Sequence, residues 1–292
     1  MAATFRPRRS VLYMPGSNAR AQEKAKSIPA DAIILDLEDA VAPDAKSAAR
    51  ETVCNSVQQG GYGGREMIIR INSLDTPWGL EDLQAAVSVQ PDAILVPKVE
   101  SAEMVHKVES LMVASGALAT TAIWCMIETP RGILKVADIA AASTRLGALV
   151  MGTSDLVKDV HARHTPLRLP MLTALSLSIL AARAEGLAVL DGVYLDLQDT
   201  EGFRNACVQG LEFGFDGKTL IHPSQVEPCN EVYAPDAAEV DLSRRIIEAF
   251  AAAEKEGKGV VVVDGKLVEN LHVDNAKRVV ALAEAIENLQ AA

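Results

Sequence analysis

Short apolar segments alternate with longer amphipathic segments along most of the chain. The apolar segments are rich in Val, Ile and Leu and do not alternate with polar residues, which is typical of strands buried on both faces of a parallel sheet. We therefore predict eight strands, at Val11–Met14, Ala32–Leu37, Met67–Ile71, Ala93–Val96, Ala122–Ile127, Ala148–Met151, Leu187–Leu190 and Gly214–Asp216.

Helix-forming sequence fills most of the intervals between these strands. A strand followed by a helix, repeated eight times, favours a (β/α)₈ TIM barrel. An open doubly wound sheet is the alternative, but it normally carries a glycine-rich loop after its first strand, which PGSNAR (15–20) does not provide. The predicted helices are Ala19–Ser27, Asp44–Gln58, Pro77–Val87, Ala102–Ala114, Arg131–Ala142, Pro170–Glu185 and Thr200–Gln209.

The pattern changes after Pro235, which divides the chain into a barrel domain (1–235) and a C-terminal extension (236–292). VVVVDGKLVE (260–269) indicates a hairpin, because Asp-Gly is a favoured hairpin turn. Helices are predicted at 237–256 and 273–290 on either side of it. We expect this helix–hairpin–helix extension to cover the barrel mouth or to reach a neighbouring subunit.

Composition excludes several other classes of protein. The 292 residues carry a net charge of −11, which gives a nucleic-acid partner little support. No apolar run reaches the roughly 18–20 residues that a membrane span needs, and no apolar segment of a secretory signal follows the basic start of the chain. We interpret residues 1–8 as a short mobile tail. The four scattered cysteines form no C-x-x-C pair, which is typical of reduced thiols in a cytoplasmic protein.

Polar residues follow nearly every predicted strand, at the end where barrels of this kind hold their active sites. The acidic run Asp36-Leu37-Glu38-Asp39 stands out, because crowded carboxylates are unfavourable unless a cation, a proton or a donor offsets them. The other strand ends carry Pro15-Gly16, Arg70 and Asn72, Pro97-Lys98, Glu128-Thr129-Pro130-Arg131, Gly152-Thr153-Ser154-Asp155, and Lys218 with His222.

Glu128 and Asp155 follow consecutive predicted strands, so their carboxylates converge at the barrel mouth. Mg²⁺ prefers oxygen ligands and is often bound through only one or two carboxylates, with water and substrate completing the octahedron. The pair therefore predicts a Mg²⁺ site. The alternative is that both acids only cap helices or stand in their first turns.

Three further groups are candidates for ligand binding. Arg70 directly follows an apolar strand, and we interpret it as facing a ligand rather than only pairing with Asp36 or Glu38. Gly152 and Thr153 would let a ligand carboxylate approach the backbone, although an ordinary turn explains them equally well. On the first helix, Arg20 and Lys24 lie four residues apart and could hold a phosphate, or could be ordinary surface charges.

Seven motifs, in order along the chain, are similar to those of the citrate lyase β-subunit-like family in the HpcH/HpaI aldolase superfamily. They are RRSVLYMPGSNAR (8–20), AIILDLEDAVAPDAK (32–46), IIRIN (68–72), ILVPKVE (94–100), MIETPRG (126–132), MGTSDL (151–156) and FGFDGKTLIHPSQV (213–226). The resemblance implies a Mg²⁺-dependent (β/α)₈ enzyme, forming homotrimers or hexamers, that acts on short 3-hydroxyacyl thioesters of coenzyme A.

The resemblance also implies roles for individual residues. Glu128 and Asp155 become the metal ligands, and Arg70 becomes a contact to the substrate and the transition state. One departure concerns an acidic residue that the family carries after the hairpin turn, usually Asp. DGKLVEN (264–270) places Glu269 there, so Glu269 is the candidate acid/base supplied to a neighbouring subunit.

The expected reaction is reversible cleavage of a malyl- or citramalyl-type CoA ester to acetyl-CoA and glyoxylate or pyruvate. Asp36 and Glu38 would orient Arg70 and water or act as the base. The alternatives are a malyl-CoA thioesterase, a citrate lyase β subunit acting on a protein-carried thioester, and a non-catalytic assembly subunit. The predicted substrate-binding set is Arg70, Glu128, Gly152, Thr153 and Ser154, with Arg20 and Lys24 for coenzyme A.

Overall fold

Eight parallel strands close into a barrel in the computed structural model, which describes residues 6–291. Each strand pairs with the next one along the chain, and the first pairs with the eighth. This closure confirms the (β/α)₈ prediction and excludes the open sheet. The strands are β1 (Ser10–Pro15), β2 (Ala32–Asp36), β3 (Glu66–Arg70), β4 (Ala93–Val96), β5 (Ala122–Ile127), β6 (Leu146–Met151), β7 (Ala188–Asp191) and β8 (Gly217–Leu220).

The predicted helices of the barrel are present, one of them in two parts, and two short helices, at Thr153–Asp159 and Val226–Tyr233, were not predicted. The segment predicted as a single helix at Arg131–Ala142 forms two short helices, because Lys135, with φ −115° and ψ 8°, leaves the helical conformation between them. The helices are α1 (Ala19–Ala25), α2 (Lys46–Gln59), α3 (Gly79–Ser88), α4 (Ala102–Ala114), α5 (Pro130–Leu134), α6 (Val136–Ala140), α7 (Thr153–Asp159), α8 (Leu172–Ala184), α9 (Thr200–Phe213) and α10 (Val226–Tyr233).

The eighth strand was predicted too early, at Gly214–Asp216. Gly214 ends α9 in the left-handed conformation, with φ 101°, and the N–H of Phe215 donates to the Gly210 carbonyl in the same cap. The chain becomes extended only at Gly217. Lys218 therefore lies inside β8 and does not follow it, so its predicted place among the strand-end residues is wrong.

Lys218 instead belongs to a buried ion cluster between β7 and β8. Its ammonium donates to Asp191 Oδ2 at 2.8 Å, and Arg168 donates through one nitrogen to both oxygens of the same carboxylate at 2.7 Å. Although burial opposes it, these two cations hold the pKa of Asp191 below its usual value. We interpret the cluster as structural, because both cations bond to the same fully buried carboxylate.

Two apolar layers pack against the two faces of the strands. The outer layer lies between strands and helices, and a smaller inner layer, which includes Ile34, Leu95 and the fully buried Trp124, fills the barrel. The Arg8 guanidinium lies 5.1 Å from the centre of the Trp124 ring and pairs with Glu66 at 2.7 Å. Of the predicted mobile tail, residues 1–5 lie outside the described part of the chain. For Arg8 the prediction is wrong, because these two contacts fix it.

The C-terminal segment, from Ala234 onward, forms a compact unit distinct from the barrel unit Arg8–Tyr233. It contains α11 (Ala237–Lys255), a hairpin of β9 (Val261–Val263) and β10 (Lys266–Val268), and α12 (Asn270–Ala291). Phe250, Val268 and Val273 form its own small core. The observed order of helix, hairpin and helix is the predicted one.

Two predictions from composition concern the cysteines and membrane-spanning segments. The four cysteines are free thiols, as expected. Within residues 6–291, none of the helices combines the length and the apolar composition that crossing a bilayer requires.

Replacing Asp191 by Asn tests the role of the buried cluster. The change leaves Lys218 and Arg168 buried without a countercharge, so we expect the free energy of unfolding to fall by about 3–5 kcal/mol in urea titrations. The matched control is Glu231→Gln, which breaks a half-exposed pair with Arg204 and should change stability by less than about 1 kcal/mol. Equal effects of the two substitutions would contradict a structural role for the cluster.

Candidate active site

A cavity of about 360 Å³ lies at the C-terminal ends of the barrel strands. Carboxylates and one guanidinium lie on one side of it, and Met, Val, Leu and Ile side chains form much of the rest. Its volume suits a small organic acid or one end of a larger ligand. The lining residues are Tyr13, Asp36, Asp39, Ala40, Arg70, Met126, Glu128, Met151, Gly152, Thr153, Ser154, Asp155, Val193, Leu195, Thr219 and Ile221.

Asp36 and Arg70 form the central ion pair of this cavity. They are the last residues of β2 and β3, and the parallel register places them opposite each other. Nε and Nη2 of Arg70 each donate to one oxygen of Asp36 at 2.6 Å, which is the bidentate geometry that a guanidinium favours. Asp36 also accepts the N–H groups of Glu38 and Ala40 at 2.9 and 3.1 Å, and so holds the acidic turn in place.

Arg70 makes four further contacts, one of them from Nη1 to Asp39 Oδ2 at 3.5 Å. Its Nη1 lies 2.8 Å from Glu38 Oε2, and the guanidinium carbon lies 4.9 Å from the centre of the Tyr13 ring. Nη1 also reaches the Met126 sulfur at 3.6 Å. Although burial opposes the charge, Asp36 and the groups around it keep the pKa of Arg70 well above its usual value. Arg70 is therefore a permanent cation in the cavity wall, and its acidic neighbours balance part of its charge.

A second polar layer supports the acidic turn from below. The Lys46 ammonium donates to the carbonyls of Leu37 and Glu38 at 2.8 and 2.6 Å and to the Asn72 side-chain oxygen at 2.8 Å. Asn72 in turn donates to Leu37 O and to Asp82 Oδ2. Because these groups are buried and bonded to one another, they hold the turn that carries Glu38 in one position.

Lys98 connects three carboxylates at the cavity edge. Its backbone is in the left-handed region, with φ 49°, which is uncommon for a residue other than Gly. The backbone N–H donates to Glu128 Oε1 at 2.8 Å. The side-chain ammonium lies 2.9 Å from Glu38 Oε1 and 3.2 Å from Asp155 Oδ2.

Glu128 directly follows β5 and is only 3% exposed. Burial, with a smaller contribution from the nearby Glu38 carboxylate, raises the pKa of Glu128 to about 7. A Cβ on Gly152 would lie 2.3 Å from Glu128 Oε2, so only glycine leaves room for this carboxylate. Glu128 is therefore a buried acid whose charge is costly unless a cation offsets it.

The β6–α7 turn supplies the other predicted site residues. Asp155 stands in the first turn of α7, with its side chain 29% exposed, and Ser154 has a buried hydroxyl without a hydrogen-bond partner in the described part of the chain. Thr153 is buried beside them. The Gly152 N–H already donates to the Ile127 carbonyl, so it is not available to a ligand.

The donor set fits Mg²⁺ better than a metal that needs a full protein cage. Within residues 6–291, no group of three or more His, Cys, Asp or Glu side chains is arranged to hold a metal ion. Glu128 and Asp155 nevertheless line one cavity, and Lys98 is bonded to both. Mg²⁺ commonly takes one or two carboxylates and fills its other positions with water and substrate oxygens.

Several residues from the sequence analysis lie outside the cavity lining, among them Glu38, which contacts the lining residue Arg70. Arg20 and Lys24 are exposed on α1, with no side-chain partner in the described region. His222 is exposed and bonds to Ser224. Glu269 belongs to the C-terminal unit, where it is exposed directly before α12.

Some residues of the site were not predicted as functional. Lys98 was noted at a strand end, but no sequence pattern indicates that its backbone and its ammonium contact different acids. Tyr13 and Met126 lie within predicted apolar strands, and Lys46 lies at the start of an ordinary helix. Nothing local distinguishes these residues, because the barrel's closure alone makes them neighbours of Arg70 and the acidic turn.

Comparison with known proteins finds relatives along the whole chain. The HpcH/HpaI aldolase/citrate lyase family pattern matches residues 9–223. A protein named (3S)-malyl-CoA thioesterase from Cereibacter sphaeroides is 49% identical over 291 residues, which cover 100% of both chains. The citrate lyase subunit beta of Escherichia coli is 38% identical, over 96% of this chain and 94% of that one.

Solved structures give the same result for the fold. Mycobacterium tuberculosis CitE, crystallised with magnesium, acetoacetate and coenzyme A, matches with a TM-score of 0.74 and 28% identity, over 95% of this chain and 98% of that one. RipC from Yersinia pestis matches with a TM-score of 0.69 and 31% identity, over 82% of this chain and 100% of that one.

The buried Glu128 carboxyl predicts an unusual pH dependence of stability. Its pKa of about 7 lies above the unfolded value near 4.5, so the native state holds an extra proton between these pH values. With chelator present, the wild-type protein should lose stability relative to Glu128→Gln as the pH rises from 5 to 8.5. The relative loss should reach up to about 3 kcal/mol, at 1.36 kcal/mol per pKa unit. Parallel profiles of unfolding free energy against pH would show that Glu128 titrates normally.

Proposed function

Because the chain belongs to the HpcH/HpaI aldolase/citrate lyase family, we propose that it is a Mg²⁺-dependent enzyme acting on malyl- or citramalyl-type thioesters of coenzyme A. One observation carries the proposal. Two carboxylates from neighbouring strand ends, Glu128 and Asp155, line the same cavity as the cationic Arg70. The names of the relatives support the same substrate class, since one is a malyl-CoA thioesterase and a structural neighbour binds magnesium and coenzyme A.

Cleavage of the bond between C2 and C3 of the acyl group is the first candidate reaction. The C3 hydroxyl gives up its proton and becomes the carbonyl of glyoxylate or pyruvate, while the bonding electrons pass to the thioester as an enolate. When bound, Mg²⁺ would supply Lewis-acid polarisation of the hydroxyl and carboxylate. Glu128 and Asp155 would hold the ion.

In this proposal Arg70 stabilises the enolate oxygen. Asp36 occupies Nε and one N–H of Nη2, while Nη1 faces Glu38, Asp39 and the Met126 sulfur. The second N–H of Nη2 therefore retains capacity for a ligand. Burial raises the pKa of Glu38, partly offset by Arg70 and Lys98, which suits it to take the hydroxyl proton. In the same proposal Glu269 of a neighbouring subunit in a homotrimer or hexamer protonates the enolate carbon, and Arg20 and Lys24 bind coenzyme A phosphates.

Hydrolysis of the thioester is the second candidate, favoured by the 49% identity to a malyl-CoA thioesterase over the whole chain. Water would attack the thioester carbonyl, and the coenzyme A thiolate would leave. Arg70 would then stabilise the oxyanion of the tetrahedral intermediate instead of an enolate. The same cavity therefore supports both reactions, which differ in the bond that breaks.

Mass spectrometry of coenzyme A species distinguishes these reactions. Purified protein is mixed with Mg²⁺, acetyl-CoA and either glyoxylate or pyruvate, with and without chelator. A chelator-sensitive adduct supports the lyase and identifies its keto acid, whereas free coenzyme A and hydroxy acid formed from the adduct support the thioesterase. If neither acid gives an adduct, synthetic malyl-CoA tests hydrolysis directly. If synthetic malyl-CoA is not hydrolysed either, the result would favour a substrate carried by a protein or a non-catalytic assembly subunit.

Substituting the two proposed metal ligands tests the ligand assignment. Asp155→Asn and Glu128→Gln should each lower the chelator-sensitive turnover by at least about 100-fold, because each removes a charged oxygen that holds the ion. The matched control is Glu100→Gln, since Glu100 lies outside the cavity and pairs only loosely with Arg131, at 3.6 Å. Turnover of the two site variants close to that of the control would overturn the ligand assignment.

A further inference from the structure

We propose that the Lys98 ammonium competes with Mg²⁺ for Asp155 and thereby makes tight metal binding depend on an anionic substrate. This inference rests on the proposed metal site and adds a positioning residue to it. The ammonium lies 3.2 Å from Asp155 Oδ2 and 2.9 Å from Glu38 Oε1, so it bridges a proposed metal ligand and an acid that pairs with Arg70.

A dication that approaches Asp155 meets this ammonium at close range. Like charges a few ångströms apart repel strongly where protein shields them from water, and less where solvent reaches them. The Lys98 side chain is 40% exposed, so its repulsion is reduced but not removed. Binding of Mg²⁺ alone therefore includes the loss of one ion pair and the approach of a charge of the same sign.

An anionic substrate changes this balance. Once Mg²⁺ takes Asp155, the ammonium keeps Glu38, and its other N–H groups have no further acceptor among the described residues. A carboxylate that arrives with the metal can accept from it and replace the lost ion pair. Metal and anion then each improve the binding of the other, and by linkage the two effects are equal.

The backbone of Lys98 has a separate role from its ammonium. The left-handed φ of 49° directs the N–H to Glu128 Oε1 at 2.8 Å, and this contact does not need the side chain. Asn adopts left-handed φ more readily than other residues that carry a side chain, whereas a β-branched residue is strained there. Lys98→Asn therefore removes the ammonium and keeps the backbone contact, while Lys98→Val disturbs both.

Isothermal titration calorimetry tests the inference. Mg²⁺ is titrated into chelator-treated protein, with and without pyruvate, and the Mg²⁺ affinity is measured. For Lys98→Asn we expect Mg²⁺ alone to bind about tenfold more tightly than to wild type. Pyruvate should tighten Mg²⁺ binding to wild type severalfold and have less effect on this variant. Lys98→Val should bind Mg²⁺ more weakly than Lys98→Asn, because Glu128 loses its backbone donor.

Three results would overturn the inference. Unchanged Mg²⁺ affinity in Lys98→Asn would show that the ammonium does not compete, and weaker affinity would show that it only supports the acids. Equal pyruvate effects in both proteins would show that the coupling does not pass through Lys98. If wild type binds no Mg²⁺ in any condition, the proposed metal chemistry fails together with the inference, which separates that failure from the other three.

Discussion

The bidentate ion pair between Asp36 and Arg70 is the contact on which the rest of the site depends. Parallel pairing of β2 and β3 places the two residues opposite each other, at the end of the barrel where the cavity lies. Asp36 fixes the following turn through two backbone N–H groups, and that turn carries Glu38 against both Arg70 and Lys98. Loss of this pair would remove the bidentate partner of Arg70 and two of the hydrogen bonds that hold the turn.

The other parts of the site depart from the local preferences of the chain. Lys98 has a left-handed backbone, Glu128 is a buried carboxyl, and Gly152 leaves room that any other residue would fill. Each departure carries an energetic cost, and all three meet around one pair of carboxylates. Clustering of unfavourable features at one place is typical of a site kept for function rather than stability.

Most of the fold could be predicted, because buried parallel strands give unbroken apolar runs that are easily recognised. The exception among the strands is β8. Its residues Gly217–Leu220 include the polar Lys218 and Thr219, while the preceding helix cap, Phe213-Gly214-Phe215, is more apolar. The direction of the Lys218 side chain, toward Asp191 of β7, follows from barrel closure. A single segment of sequence cannot show it.

The candidate site was predicted in part for the same reason. Strand ends identified Asp36, Arg70, Glu128 and Asp155 as neighbours, since parallel strands end on one face of the barrel. The links between them were not visible, because the left-handed turn at Lys98 and the buried contacts of Lys46 depend on tertiary packing. The proposed role of Glu269 depends on how subunits assemble, and the sequence of one chain does not describe that assembly.

A crystal structure with Mn²⁺ in place of Mg²⁺, recorded at a wavelength where manganese scatters anomalously, tests the central claim most directly. The account predicts one strong anomalous peak, coordinated by a carboxylate oxygen of Glu128 and one of Asp155, with the Lys98 ammonium moved away from Asp155. A peak at any other group of residues, or a cavity without a peak at saturating Mn²⁺ and pyruvate, would contradict it.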